Sequence, residues 1–196
     1  MEEGQPTARA ALPARERILD TAYELFSHNS LRAVGIDRII DESGVAKRTL
    51  YHHFSSKTDL ILAFLGVREQ RWTRDWLQAE MQALAATPHD RMLAIFDAFD
   101  EWFNSKDYET CAFICTLLEM RGNADPVHQE AVHQLEVIRQ IVRDQAQQAG
   151  ARDPEAVAYQ IHILMMGAIV SAARGDLAAG RRARELAELL LDSTLT

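Results

Sequence analysis

The sequence predicts an all-α protein of about nine helices. Apolar residues recur at helical spacing along nearly the whole chain, and no segment alternates apolar and polar residues over the length of a strand. Helix-capping and helix-breaking residues divide this pattern at intervals. With 196 residues, of which 47% are hydrophobic, the chain can form a packed core. These three observations define the expected fold class.

Three short helices are predicted first. The first covers about residues 13–28 and has an apolar face of Ile18, Ala22, Leu25 and Phe26. The second, IDRIIDES, ends at Gly44, because glycine readily takes the left-handed backbone conformation that terminates a helix. After the turn GVA, the segment KRTLYHHF forms the third.

Six further helices, most of them longer, are predicted to follow. Thr87-Pro88, Asp125-Pro126 and Asp153-Pro154 each place a capping side chain before a proline at the first helical position, where a missing N–H costs nothing. The helices are expected at 57–86, 88–106, 108–120, 125–150, 153–175 and 181–192.

Two short helices joined by a glycine-containing turn predict a helix-turn-helix over residues 35–54. Leu50 and Phe54, four residues apart, are expected to point into the core. The outward positions are then Lys47, Arg48, Thr49, Tyr51 and His52, with His53 near the edge. Lys and Arg can bind guanine edges, whereas Thr, Tyr, His and the nearby Lys57 suit phosphate oxygens.

The distribution of charge favours this interpretation. The chain has a formal net charge of −8, yet residues 44–57 contain three basic residues and no acidic one, and the whole acidic excess lies in residues 58–196. A polyanion would be attracted to this local positive charge, so the negative net charge of the chain does not exclude nucleic-acid binding. The alternative is a basic helix face that is merely solvated.

Residues 44–60, GVAKRTLYHHFSSKTDL, resemble the signature of the TetR family of bacterial transcription regulators. The preceding RERILDTAYELF and IDRIIDESG lie at the family's spacing from it. The resemblance covers residues 12–72 and implies base contacts from Lys47 and Arg48, with phosphate contacts from Thr49, Tyr51, His52, His53 and Lys57. Two positions depart from the family: Val34-Gly35 replace a common Thr or Ser, and Arg48 replaces a common small residue.

Residues 73–196 are expected to form a regulatory domain for ligand binding and dimerisation. The stretch AVAYQIHILMMGAIVSAA is apolar on nearly all faces, and RELAELLL has a second apolar stripe. Helices 154–174 and 181–192 could therefore pack against a second copy as a four-helix bundle, as TetR-like proteins do. An ordinary buried core helix is the alternative.

A ligand pocket is also predicted, between the DNA-binding and dimerisation segments. Its expected lining is aromatic and Met-rich, which suits a small apolar or aromatic effector, with Tyr159 and His162 orienting a polar group. The residues are Trp72, Trp76, Phe99, Trp102, Phe103, Phe113, Met120, Tyr159, His162 and Met166. Each of them could instead be plain core.

Other chemistries have weaker support. Cys111 and Cys115 could form a redox or metal site with His128 or His133, but nothing in the local sequence indicates a lowered thiol pKa, and buried inert cysteines are favoured. The Glu130…His133 pair lacks the second copy that a di-iron bundle needs. No enzyme motif, cofactor or metal is predicted.

The expected function is a DNA-binding transcription regulator: a homodimeric repressor that a small molecule releases from its operator. The first residues contain no apolar core of a signal peptide, so the chain is expected in the cytoplasm and not in a membrane. The alternatives are a helical metal or redox protein and a small-molecule carrier that does not bind DNA.

Overall fold

The computed structural model describes residues 12–106 and 108–194, and every regular element within these ranges is helical. The elements are α1 (Ala14–His28), α2 (Ile36–Ser43), α3 (Lys47–His53), α4 (Lys57–Arg68), a π-helical segment (Glu69–Leu77), α5 (Gln78–Leu84), α6 (Pro88–Phe103), α7 (Ala112–Glu119), α8 (Pro126–Gln148), α9 (Pro154–Ala173) and α10 (Ala179–Thr194). Because α4, the π segment and α5 are continuous, the described residues form nine helices. The predicted all-α class is confirmed; the prediction about a signal peptide concerns residues outside these ranges.

Helices α1 to α3 and the start of α4 enclose a common core. Leu50 is fully buried and Phe54 is 4% exposed, as the helical spacing predicts, and Ile18, Ala22, Leu25, Phe26 and Ile39 are buried with them. Helix α2 ends at Gly44, which has a φ of 64° and donates its backbone N–H to the Ile40 carbonyl oxygen. This left-handed residue turns the chain sharply enough for α3 to begin three residues later.

The helix predicted over residues 57–86 contains the π segment, which the apolar spacing did not indicate. Its side chains pair five residues apart: Arg74 Nε donates to Glu69 Oε1 at 2.6 Å, and Gln70 Nε2 donates to Asp75 Oδ1 at 2.7 Å. This spacing fits the wider π turn. The predicted domain boundary at residues 72 and 73 falls inside the segment, so one uninterrupted helix joins the two parts of the chain.

The C-terminal helices begin where the capping residues indicate. Thr87 accepts a hydrogen bond from the Asp90 N–H, Asp125 from Val127 and His128, and Asp153 from Ala156. Helix α6 ends at Phe103, three residues earlier than predicted. There the Asn104 side chain donates to the carbonyl oxygens of Asp100 and Leu177, at 2.7 and 3.1 Å, and holds the departing chain.

Helix α9 is at once part of the core and part of the surface. By length and composition alone it could cross a membrane. Eight of its twenty residues are nevertheless buried, and it packs on α6, α8 and α10. Its opposite face is exposed.

Candidate functional site

Helix α3 presents the predicted DNA-contacting side chains on one exposed surface. Lys47, Arg48, His52 and His53 are exposed, Tyr51 is 44% exposed, and Thr49 is half-buried. Leu50 and Phe54 anchor the opposite face, so rotation of the helix would expose apolar surface. The structure thus brings the predicted base-reading and phosphate-binding residues of α3 together.

The two predicted base-reading residues have different surroundings. Lys47 Nζ lies 3.3 Å from Oδ1 of Asp37 on α2. Arg48 forms no ion pair with an acidic residue in the described part of the chain. Its guanidinium is therefore the less compensated charge on the surface of α3. Sequence reasoning missed Asp37, because the contact depends on the angle between α2 and α3.

Lys57 lies at the first position of α4, next to the loop between α1 and α2. Its Nζ donates to the Arg32 carbonyl oxygen at 3.3 Å. Partial burial lowers the pKa of Lys57, and the nearby Glu119 carboxylate offsets part of this effect. Ser56 caps α4 by accepting the Asp59 N–H. Helix α2, in contrast, begins after Gly35 without a side-chain cap, where the family often has a hydroxyl.

Five of the predicted pocket residues belong to one aromatic cluster, formed by the π segment, α6 and the residue Tyr108. Ring centroids lie 5.4 Å apart for Trp72 and Trp76, and 5.6 Å apart for Trp76 and Trp102. Phe99 contacts all three tryptophans. The members of this aromatic cluster are Trp72, Trp76, Phe99, Trp102, Phe103 and Tyr108.

The predicted pocket omitted Tyr108. Its ring lies 5.0 Å from Trp102 and 5.3 Å from Phe103, and its hydroxyl donates to the Ile169 carbonyl oxygen on α9 at 3.1 Å. Burial raises the pKa of Tyr108 to about 12. Its position shortly after the aromatic stripe of α6 was the available sequence signal.

The other predicted pocket residues are not members of the aromatic cluster, although Phe113 and Trp72 line one small crevice. Phe113 is buried on α7, and Met120 directly follows that helix. On α9, His162 is buried, but Tyr159 is 53% exposed with the Arg139 guanidinium 4.2 Å from its ring centroid. Met166 is half-buried on the same helix. The structure does not bring Tyr159 to the aromatic cluster.

Two side chains of the π segment, one of them in the aromatic cluster, have unused hydrogen-bonding capacity. Nε1 of Trp72 is buried and has no hydrogen-bond partner among the described residues, and the same holds for Oγ1 of Thr73. A buried donor without an acceptor costs free energy. A bound molecule with an acceptor atom could satisfy the Trp72 indole N–H.

The cysteines occupy two different environments. Cys111 is buried, which raises the pKa of its thiol to about 11, whereas Cys115 is exposed. Among residues 12–106 and 108–194, no three His, Cys, Asp or Glu side chains converge as a metal site. Glu130 instead accepts a hydrogen bond from Gln134 at 2.7 Å.

Large apolar side chains are exposed along the outer faces of α9 and α10. On α9, Ile163 is 59% exposed and Val170 is 47% exposed; on α10, Leu186 is 54% and Leu189 is 68% exposed. Because α9 and α10 pack on each other, these side chains belong to two adjacent helices. Several large apolar side chains exposed on adjacent helices are typical of a protein interface.

Comparison with known proteins places this geometry in a family. The family described as "Bacterial regulatory proteins, tetR family" matches residues 18–64, and "Tetracyclin repressor-like, C-terminal domain" matches residues 88–187. A crystal structure of a TetR-family transcriptional regulator from Streptomyces coelicolor superposes with a TM-score of 0.84 at 28% sequence identity, covering 93% of this chain and 96% of the other.

Two curated relatives match less than half of the chain. The HTH-type transcriptional activator FasR of Mycolicibacterium smegmatis is 40% identical over 93 residues, which are 45% of this chain and 41% of FasR. The HTH-type transcriptional repressor KstR2 of Mycobacterium tuberculosis is 32% identical over 87 residues, which are 43% of this chain and 41% of KstR2. Each match thus spans less than half of the relative. On the two family matches, which together cover most of its length, the chain belongs to the TetR family of bacterial regulatory proteins.

Proposed function

We propose that this protein is a sequence-specific DNA-binding transcription regulator that represses its target by occupying an operator. The observation that carries the proposal is the exposed face of α3, where Arg48 has no acidic partner among the residues that the structure describes and two buried anchors fix the helix on its domain. An exposed recognition helix of this kind can enter the major groove and read base edges.

The proposed active form is a homodimer. A single recognition helix makes too few contacts for tight specific binding, and two of them must lie about 34 Å apart to meet successive major grooves. The exposed apolar faces of α9 and α10 could pack on their mates in a two-fold four-helix bundle. This arrangement would also cover the apolar surface of α9 without a membrane, consistent with a cytoplasmic regulator.

The proposed effector is a small apolar or aromatic molecule with a hydrogen-bond acceptor. The aromatic cluster would supply ring surfaces, and the buried Trp72 Nε1 would supply the donor. Release from DNA requires that the effector bind the DNA-incompetent arrangement more tightly; a coupling of about 3 kcal/mol weakens operator affinity about a hundredfold.

Selection from random DNA tests the regulator. Purified protein is incubated with random duplexes, and the retained sequences are determined over several rounds. We expect a roughly palindromic site, which the Arg48→Ala variant enriches less. Recovery of no common sequence would contradict the regulator and favour a carrier that keeps the fold without binding DNA. A promoter fusion containing the selected site then shows whether the protein lowers transcription.

Intrinsic fluorescence tests the effector site, because all three tryptophans of the chain belong to the aromatic cluster. A panel of apolar and aromatic compounds is titrated while tryptophan emission is recorded. A compound that changes emission should also release the selected DNA, and Trp72→Phe should weaken its binding by removing the donor. A compound that releases DNA with no change in emission would place the effector elsewhere.

A further inference from the structure

Glu119, the last residue of α7, reaches across to the loop between α1 and α2. Its Oε1 accepts hydrogen bonds from Ser30 Oγ and from the Arg32 N–H, both at 2.7 Å, and its Oε2 accepts from the Leu31 N–H at 3.0 Å. These partners lie 87 to 89 residues away in the sequence. One carboxylate therefore holds three consecutive residues of the DNA-binding domain against the regulatory domain.

Hydrogen bonds from this loop stabilise the charged form of the Glu119 carboxylate. Burial alone would raise the pKa of Glu119, but the hydrogen bonds from Ser30, Arg32 and Leu31 together lower it below its usual value. Glu119 is thus charged at neutral pH, and hydrogen bonds to a charged acceptor are stronger than neutral ones. The same loop leads directly into α2, and its Arg32 carbonyl oxygen accepts the hydrogen bond from Lys57. The loop therefore borders both helix α2 and the proposed phosphate contact at the start of α4.

A second polar contact joins the same two parts of the chain. Nη1 of Arg68 on α4 donates to Glu109 Oε2 at 2.6 Å and to Tyr23 Oη at 2.8 Å, and Glu109 Oε1 lies 3.3 Å from His28 Nε2. Between this contact and Glu119 lies a cleft of about 320 Å³. Its walls include Ser27, Leu31 and Phe64 on one side and Ala112, Cys115 and Thr116 on the other.

We propose that Glu119 is a positioning residue for DNA binding, which couples the position of α7 to the orientation of the helix-turn-helix. The proposal rests on the proposed regulator function. A displacement of α7 would pull on Ser30, Leu31 and Arg32 directly, in addition to any motion of the long helix that begins at α4. Separation of α7 from the loop would break three hydrogen bonds at once.

The first test compares Glu119→Ala with Glu101→Ala, which removes the same charge from an exposed position of α6. Removal of a carboxylate from an acidic protein should by itself favour binding to DNA. We nevertheless expect Glu119→Ala to weaken binding to the selected operator on the order of tenfold, since the loop that leads into α2 is then no longer held by three hydrogen bonds. Base preference should stay unchanged. Equal or higher affinity in Glu119→Ala would overturn the proposal.

The second test attaches a bulky group to a cysteine that lines the cleft. Cys115 lies one turn before Glu119 on the same face of α7 and lines the cleft, whereas Cys111 is protected by burial. Methyl methanethiosulfonate adds a small group to Cys115, and pyrenyl maleimide adds a large one. We expect the large adduct to weaken operator binding and the small one to leave it nearly unchanged, with Cys115→Ser insensitive to both. A pyrene adduct that binds the operator like unmodified protein contradicts the coupling.

The third test measures orientation without DNA. A spin label is attached to His53→Cys on α3 in a Cys115→Ser background, and the distance between the labels of the two protomers is recorded by pulsed electron paramagnetic resonance. We expect a narrow distribution that broadens in Glu119→Ala while the melting temperature of the dimer changes little. An unchanged distribution would refute the role of Glu119. No measurable distance between labels would instead refute the homodimer, so the two failures are distinguishable.

Discussion

Lys47 Nζ on α3 lies 3.3 Å from Asp37 Oδ1 on α2, so one of the two predicted base-reading side chains is already paired with an acid. Both side chains are largely exposed, at 64% for Lys47 and 83% for Asp37. A pair this exposed contributes little stability. Its consequence is for the proposed DNA binding, in which Lys47 would exchange Asp37 for the nucleic acid, whereas Arg48 has no acidic partner to give up within residues 12–106 and 108–194.

Arg48→Ala should therefore relax base preference more than Lys47→Ala. A lost bidentate contact to guanine costs about 1 to 3 kcal/mol at one position of the operator. Fluorescence anisotropy with the selected site and its single-base variants measures this loss. Lys57→Ala is the matched control: it should weaken all sequences alike and reduce the salt slope by about one. Equal discrimination in Arg48→Ala and the unmodified protein would remove Arg48 from base reading.

Asp37→Asn should raise the affinity for DNA of any sequence. The substitution removes the partner of Lys47 and one negative charge from the binding surface, while the amide keeps the shape of the side chain. Salt titrations of operator and random duplexes should both show a steeper slope, because the binding surface then has a higher net positive charge. Asp41→Asn on the same helix serves as a control, since Asp41 forms no ion pair with Lys47. A gain confined to the operator would show instead that Asp37 affects specificity.

Ile163→Arg should dissociate the dimer and leave the fold of each protomer intact. Ile163 is 59% exposed, so an arginine there needs no space in the core, but it would place a charge within the proposed four-helix bundle. Sedimentation velocity should show a monomer, and operator affinity should fall sharply. Leu118→Arg is the control, because Leu118 is 66% exposed on α7, outside α9 and α10. A dimeric Ile163→Arg protein would locate the interface on another surface.

Gly180→Ala should destabilise the packing of α10 on α6. A Cβ atom at Gly180 would lie 2.7 Å from the backbone nitrogen of Asp100, which cannot move without shifting α6. Overpacking of this kind costs about 1 to 3 kcal/mol of unfolding free energy. Gly66→Ala on α4 meets no atom within 4 Å and should raise stability by about 0.5 to 1 kcal/mol through helix propensity. Urea unfolding of both variants should give shifts of opposite sign.

Stability should fall between about pH 6.5 and pH 4.5 because of His162. Burial, followed by the nearby Arg139, lowers the pKa of His162 to about 4, although Glu136 partly opposes this effect. The unfolded chain then binds a proton at pH values where the folded chain does not, so stability is complete above the unfolded pKa and decreases as the pH falls toward the folded one. The full effect is on the order of 3 kcal/mol.

Urea unfolding at several pH values measures this loss. The carboxylates with lowered pKa values, Glu119 and Glu136 among them, contribute mainly below this range, because their stabilising effect is lost as the pH falls from the unfolded pKa of a glutamate toward the lower folded one. His162→Gln should flatten the dependence between pH 6.5 and pH 4.5. An equal slope in His162→Gln would assign the effect to another group.

Of all features of the fold, the helix boundaries could best be predicted from the sequence, because they depend on interactions between neighbouring residues. Gly44, Thr87, Asp125 and Asp153 act on backbone groups within a few positions, and each ends or begins a helix where its chemistry indicates. The inward positions of Leu50 and Phe54 followed equally from their spacing. The family and its helix-turn-helix could be recognised for the same reason: the signature is contiguous.

Only part of the candidate ligand site could be predicted from the sequence. Helical spacing placed the tryptophans together with Phe99 and Phe103. It could not show that the Tyr159 side chain is exposed beneath the Arg139 guanidinium. Because α9 is apolar on nearly all faces, its sequence pattern does not indicate which face points into the core. The π segment could not be predicted either, because apolar spacing over nine residues does not distinguish a π-helix from an α-helix.

By itself, the sequence determined the helix order, the caps and the recognition helix with its basic face, all of which depend on interactions within a few residues. Only the tertiary structure decided that Asp37 pairs with Lys47, that Tyr108 joins the aromatic cluster through Ile169, and that Glu119 holds the α1–α2 loop. These contacts depend on how whole helices cross. Packing of the complete core determines those crossing angles, and no local pattern encodes them.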